Sequence, residues 1–207
     1  KAKTAFEFRK VFKALNVIKL IEFNNDQEDL SSKEDLMKTE NRTFVKGWGY
    51  RNKELTKQDR NYYKELFYPN FHQKSKSLID PEKINIAIHI RRGDYVQWEG
   101  GRYFFNDAIY TKAIDKLIEL IGTDCRVLIF TNDKNLNRHL YDSKYSNCYI
   151  SSSDERTDHY LMSQCQYIIG PPSSFSMWAS YIGNTKFYHL KGENDKIKLE
   201  NFEICNG

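Results

Sequence analysis

The stretch 84–95, INIAIHIRRGDY, constrains this chain more than any other. Ile84, Ile86, Ile88 and Ile90 alternate with Asn85, Ala87, His89 and Arg91. β-Branched residues on one side and small or polar ones on the other predict a buried strand that stops at Arg91, Arg92 and Gly93. Two adjacent guanidinium groups at a strand's carboxyl end repel each other unless an anion sits with them, and phosphate is the natural partner. Gly93 permits close backbone approach, and Asp94 is able to accept from an arginine and fix its direction. The competing reading is a surface ion pair worth about 0–1 kcal/mol. Arg92-Gly93-Asp94 also spells an adhesion tripeptide, but such a tripeptide works on a protruding loop, and this one follows a core strand.

Downstream the pattern is regular. Asn106 reads as a helix N-cap, Tyr110, Ile114, Leu117, Ile118 and Ile121 form an apolar stripe, and Gly122 stands where a C-terminal cap belongs. Strands are expected at 126–131, 148–151, 167–170 and 186–190, with helices at 133–141, 157–165 and 174–182. Strands alternating with helices through short connections predict an α/β fold with a parallel sheet and right-handed crossovers. Ligands of such sheets bind beyond the carboxyl ends of the strands, where the two arginines fall.

Two further segments converge on that edge. Gly170-Pro171-Pro172-Ser173-Ser174 joins a strand to a helix whose first turn offers unpaired N–H groups and two hydroxyls, suited to phosphate, or else a plain serine cap. Asp158 follows the serine-rich turn 151–153 near a helix start. It either complements the helix dipole or reads the N1–H and exocyclic amine of guanine. Thr131, Asn132 and Asp133 end a neighbouring strand and are expected to line the same crevice. Neither a phosphate-binding lysine loop nor GxGxxG follows a strand, which removes ordinary triphosphatases and dinucleotide enzymes. His89 reads either as a satisfied core group or as a catalytic one, and no nucleophile for it to activate is evident.

Upstream, residues 8–15 show a helical apolar face running into a strand at 17–23, and 24–40 is a polar excursion. A strand at 43–45 leads into Gly47-Trp48-Gly49-Tyr50, and Thr56 is placed to cap a helix reaching residue 67. Residues 69–81 are the best linker, which divides the chain into 1–80 and 81–207. The chain begins without Met and in mid-pattern, so an incomplete N-terminal part is expected. A net charge of +4 over 207 residues suits a small anionic ligand better than nucleic acid. Four scattered cysteines at no metal or redox spacing point to a reducing, cytoplasmic setting. No apolar run of about 18 residues and no leader is visible, so no membrane span is expected, and peripheral association with a membrane stays open.

HIRRGDY at 89–95 together with TDHYLMSQCQYIIGPPSSFSMWASYIG at 157–183 resembles the fucosyltransferases that share a His-x-Arg-Arg-x-Asp motif, most nearly the bacterial α-1,2 type of glycosyltransferase family 11. The resemblance implies a GT-B-like architecture: a Rossmann-like C-terminal domain holding GDP-fucose, and a smaller or incomplete N-terminal domain on the acceptor side. It implies no cofactor and no metal, and an acceptor such as a galactose-containing oligosaccharide. It makes Arg91, Arg92 and Asp94 catalytic. It places His89, Arg91, Thr131, Asp133, Asp158, Ser173, Ser174 and Phe175 on the nucleotide sugar. Pro171-Pro172 departs from the small or polar residues usual before the serines. Two other readings stay open: a binding module without transfer activity, and a phosphate-cleaving hydrolase built on His89.

Overall fold

The computed structural model describes residues 19–22, 43–46, 53–68 and 76–205. The chain divides into two compact units, Lys1–Gln58 and Asp59–Gly207. In the first, β1 (Lys19–Glu22) and β2 (Thr43–Lys46) pair in parallel, and α1 covers Lys53–Gln58. The helix expected at 8–15, the polar stretch 24–40 and the glycine-framed Trp48 lie outside the described residues.

The second unit runs α2 (Arg60–Phe67), β3 (Ile84–Ile90), α3 (Asp107–Ile121), β4 (Cys125–Thr131), α4 (Arg138–Lys144), β5 (Cys148–Ile150), α5 (Glu155–Ser163), β6 (Tyr167–Gly170), α6 (Ser174–Gly183) and β7 (Lys186–His189). The strands form one parallel sheet in the order β5-β4-β3-β6-β7. Counted from β3 this is 3-2-1-4-5, the Rossmann arrangement without a sixth strand. The chain grows outward through β4 and β5, then returns to the other side of β3. The switch point therefore lies between β3 and β6.

The alternation in β3 explains how the layers pack. Ile86, Ile88 and Ile90 join a core with Tyr110, Ile114 and Leu117 of α3 and Tyr141 of α4. On the opposite face Ala87 meets Leu161 and Met162 of α5 and Ala179 of α6. Each fully buried Ile contributes about 1.5–3 kcal/mol relative to exposure. The small side chains on the second face admit two helices close to the sheet. Gly170 is part of that closeness, because a Cβ there would stand 3.0 Å from both Cβ and O of His89.

Several boundaries differ from expectation. Asp154, not a residue nearer Thr157, caps α5 by accepting from the Thr157 N–H, and Asn137 caps an α4 that begins five residues later than the spacing suggested. Thr56 lies inside α1 rather than at a cap. The break between the units falls at Gln58–Asp59 rather than at residue 80, because α2 packs on α6: the rings of Tyr63 and Phe67 meet Trp178 at 5.9 and 5.4 Å, and Arg60 donates to Asn184. Beyond β7 the chain returns, and Glu203 forms an antiparallel bridge with Phe187 (N···O 2.8 and 3.1 Å). The cysteines carry no disulfide, and no helix among the described residues is long and apolar enough to cross a membrane.

Where α6 ends, Gly183 touches the end of α5. A Cβ there would overlap the carbonyl oxygen of Ser163 and crowd Thr185. Backbone cannot swing away as a flexible side chain does. Gly183→Ala should therefore lower unfolding free energy by about 3 kcal/mol or more, read from chemical denaturation, and a loss below roughly 1 kcal/mol would contradict this packing.

Candidate active site at the carboxyl end of the sheet

β3 ends in the turn that carries Arg91 and Arg92, and the two side chains have different fates. Arg91 presents Nε and Nη2 to Asp94 Oδ1 and Oδ2 at 3.0 and 2.9 Å, while its side chain stays 31% exposed. Hydrogen bonding to Asp94 raises the arginine's pKa, and the same bond holds the Asp94 carboxyl below its ordinary value. The guanidinium also lies 5.4 Å over the Tyr95 ring. The expectation that Asp94 aims Arg91 matches this geometry.

Arg92 departs from expectation. Only 11% of its side chain is exposed, and all three guanidinium nitrogens are engaged: Nε with the Phe105 carbonyl at 2.8 Å, Nη1 with Asp133 at 3.0 Å and Nη2 with Asp107. Burial opposes its charge, and the Asp107 and Asp133 carboxylates more than offset that opposition. This arginine holds the turn together instead of facing a ligand. Asp133 belongs to it, and Thr131 accepts the Asp133 N–H at 3.0 Å, so neither residue is on the crevice. Asn132 does reach the turn, accepting from the N–H groups of Arg92 and Gly93 at 3.0 and 3.3 Å.

The second segment arrives beside the first at the switch point. Tyr95 donates to the Pro172 carbonyl and so ties the arginine turn to the loop before α6. Pro171 and Pro172 contribute no N–H, yet Ser173, the N-cap, makes no side-chain cap bond, which leaves first-turn N–H groups of α6 for a ligand. Ser173 is buried and Ser174 is exposed.

A cavity of about 690 Å³ opens here, lined by Arg91 with Ser174, Phe175 and Trp178 of α6, Glu155, Arg156 and His159 of α5, and Phe67 and Tyr68 at the end of α2. A guanidinium and an uncapped helix start thus face one space with aromatic walls, an arrangement that holds a phosphate ester and stabilises charge growing on it. The larger cavity of about 800 Å³ between α3 and residues 190–198 mixes lysines with acids, as Lys116 paired with Glu119, and has neither an arginine nor an uncapped helix start.

Beneath the cavity floor, His89 is buried with Nδ1 2.5 Å from Ser176 Oγ and its ring 5.4 Å from Phe175. Burial, then the charge of Arg91, lowers its pKa to about 3. A neutral imidazole with so little proton affinity is no base near pH 7, which removes support for the hydrolase reading. His159 packs edge-on to Phe175 at 4.8 Å, pairs with the Tyr68 hydroxyl, and is lowered to about 4 by burial. Asp158 does not line the cavity. It takes the Ser151 hydroxyl across the β5–α5 turn, and burial raises its pKa to about 6.

The structure therefore gathers Arg91, Ser174 and Phe175 on one cavity with His89 under it, and places Asp158 beside His159 on α5 but off the cavity lining. Sequence reasoning missed Ser176, Asp107 and His159. Ser176 carried a signal, since it follows Ser173 by three residues and so shares its helix face. Tyr68, Phe67 and Trp178 carried none, because what makes them cavity walls is the contact of α2 with α6.

A Rossmann sheet with an arginine at its switch point suits an anionic ligand, and the comparisons with known proteins name the family. Residues 48–197 match glycosyl transferase family 11, and the chain belongs to that family. It is 25% identical over 157 residues to an alpha-1,2-colitosyltransferase of Escherichia coli, an alignment covering 68% of this chain and 51% of that protein. The chain spans about half the length of that curated relative. Two crystal structures of POFUT1 in complex with GDP align with TM-scores of 0.47 and 0.46 at 12% and 13% identity, over 78% and 79% of this chain and 58% and 60% of theirs.

Proposed function

We propose that this chain transfers L-fucose from GDP-fucose to a sugar hydroxyl, in α-1,2 linkage to galactose, with inversion and without a metal. The observation that carries the reading is Arg91 and the uncapped start of α6 on one cavity at the switch point, in a member of family 11. In this reading the acceptor oxygen attacks the anomeric carbon from the face opposite the phosphate. The carbon–oxygen bond to the β-phosphate breaks, its electron pair leaves with GDP, and the proton of the acceptor hydroxyl passes to a phosphate oxygen of the departing GDP. Arg91 meets the negative charge where it grows, so its stabilisation is larger in the transition state than in the ground state. A galactose-containing oligosaccharide is the acceptor class, and the setting is cytoplasmic. The relative's name supports the 1,2 linkage, and it makes a colitosyl donor the one to assay beside GDP-fucose.

Asp158 is the group proposed for guanine. A carboxylate accepts from N1–H and the exocyclic amine only when ionised, and its pKa of about 6 sets the pH window. Below that value the site binds a proton that guanine must expel, so affinity should fall by about tenfold per pH unit on the acid side and stay level above it. GDP-fucose is the ligand to use, since each of its phosphates carries one ester and the shared anhydride and so has no proton that titrates there. Calorimetry from pH 4.5 to 7.5 checks this, with GDP compared against ADP and UDP at pH 7. Asp158→Asn should flatten the profile and erase the preference for GDP. An unchanged preference would remove Asp158 from the guanine site, and no nucleotide binding at all would remove the proposed function.

A further inference from the structure

The geometry points to Asp107, at the first position of α3, as the positioning residue that aims Arg91 by anchoring its neighbour Arg92. The inference rests on the transferase reading for its kinetic arm and stands on its own for its structural arm.

Asp107 Oδ1 accepts from Arg92 Nη2 and, at 2.9 Å, from the hydroxyl of the fully buried Tyr141 on α4. Asp107 is 24% exposed and Asp133 16%, so the anchoring charges sit mostly out of water. Arg92 is thereby pinned to the α3 start, to the end of β4 and, through Phe105, to the chain leading into α3. Its own N–H and that of Gly93 are pinned to Asn132. With Arg92 immobile on one side of the turn, the residue before it has one direction left, and its pairing with Asp94 uses the Nε–Nη2 edge of the guanidinium. The remaining edge of Arg91 is then available to the cavity it lines. An adjacent pair of like charges is resolved by assigning each a different task. Two carboxylates absorb Arg92, and only Arg91 acts on the ligand.

Asp107→Asn keeps the shape and removes the charge. The test reads the side-chain Nε–H signals of both arginines by nitrogen-15 NMR, assigned by their disappearance in Arg91→Lys and Arg92→Lys. In the wild type both signals should be protected, by Asp94 and by the Phe105 carbonyl. In Asp107→Asn the exchange of the Arg91 signal should rise by about tenfold, although Asp107 does not touch Arg91. Transfer assays on the same protein should show kcat lower by about 30- to 100-fold with donor KM within about threefold, the mark of a misplaced group rather than a lost binding contact. Asp107→Glu should recover part of both effects. Lys116→Ala, on the exposed face of α3, should move neither.

If Asp107→Asn fails to fold, Tyr141→Phe removes the second bond to the same oxygen, and the Arg91 exchange should still rise by roughly threefold. An Arg91 signal that stays put while that of Arg92 changes would overturn the inference and leave Asp107 a fold-holding residue. A wild type that transfers no sugar would refute the proposed function, and the NMR comparison would still decide the role of Asp107.

Discussion

Arg91→Ala should cut kcat for fucosyl transfer by about 100- to 1000-fold while GDP affinity drops far less. The reason is where the charge is. In the proposed reaction GDP as a bound product would share its charge with the first turn of α6 and with solvent, whereas the breaking bond would concentrate charge on the β-phosphate oxygen next to Arg91. The assay is run with chelator present, where wild-type turnover should persist because the arginine does what a divalent ion would otherwise do. Retention of activity within about threefold in the variant would refute the assignment. Stability should barely change, because the Arg91–Asp94 pair is exposed and such pairs contribute about 0–1 kcal/mol.

Arg92→Ala should do the reverse. Removing it leaves Asp107 and Asp133 facing each other without a cation, and breaking a buried pair from one side costs about 3–5 kcal/mol. For a unit of this size the midpoint of thermal unfolding should fall by roughly 10 °C. Differential scanning calorimetry reads this directly, and a drop under about 2 °C would show that the network carries no stability. The neighbouring arginines, indistinguishable as letters, would thus be separated by experiment: one variant stable and inactive, the other unstable first and inactive in consequence.

That contrast also marks what the sequence could and could not reveal. The strand 84–90 and its two faces were legible because side-chain alternation is set by the backbone itself, and Asn106 and Gly122 were legible because capping is local chemistry. The parallel sheet followed from strand and helix alternation, whereas its Rossmann-like character was implied by the resemblance and its strand order is read from the fold. The helix after β4 was misplaced because Asp133 and Asn135 look like helix-start residues, whereas Asp133 is taken by Arg92 and accepts the Asn135 N–H at 2.8 Å in a turn. The fate of Arg92 was invisible for the same reason. Its partners lie 15 and 41 positions away, and no local pattern announces them. The linker was placed too late because α2 looks like a surface helix by its charges, and its tie to Trp178 exists only in the folded chain. Arg91, Ser174 and Phe175 were expected together because strand ends and helix starts mark where a parallel sheet binds ligands, and they line one cavity. The walls contributed by α2 were not expected.

The antiparallel bridge between Phe187 and Glu203 has a bearing on how these molecules behave when crowded. Parallel sheets leave two outer strands whose free N–H and C=O groups invite another chain to pair with them. Here the backbone of β7 at Phe187 is already matched by the returning tail, and the other border, β5, is three residues long. Neither border offers a long template, so chains that meet in concentrated solution find little register in which to stack, and the fold is guarded against fibrous self-association along its sheet.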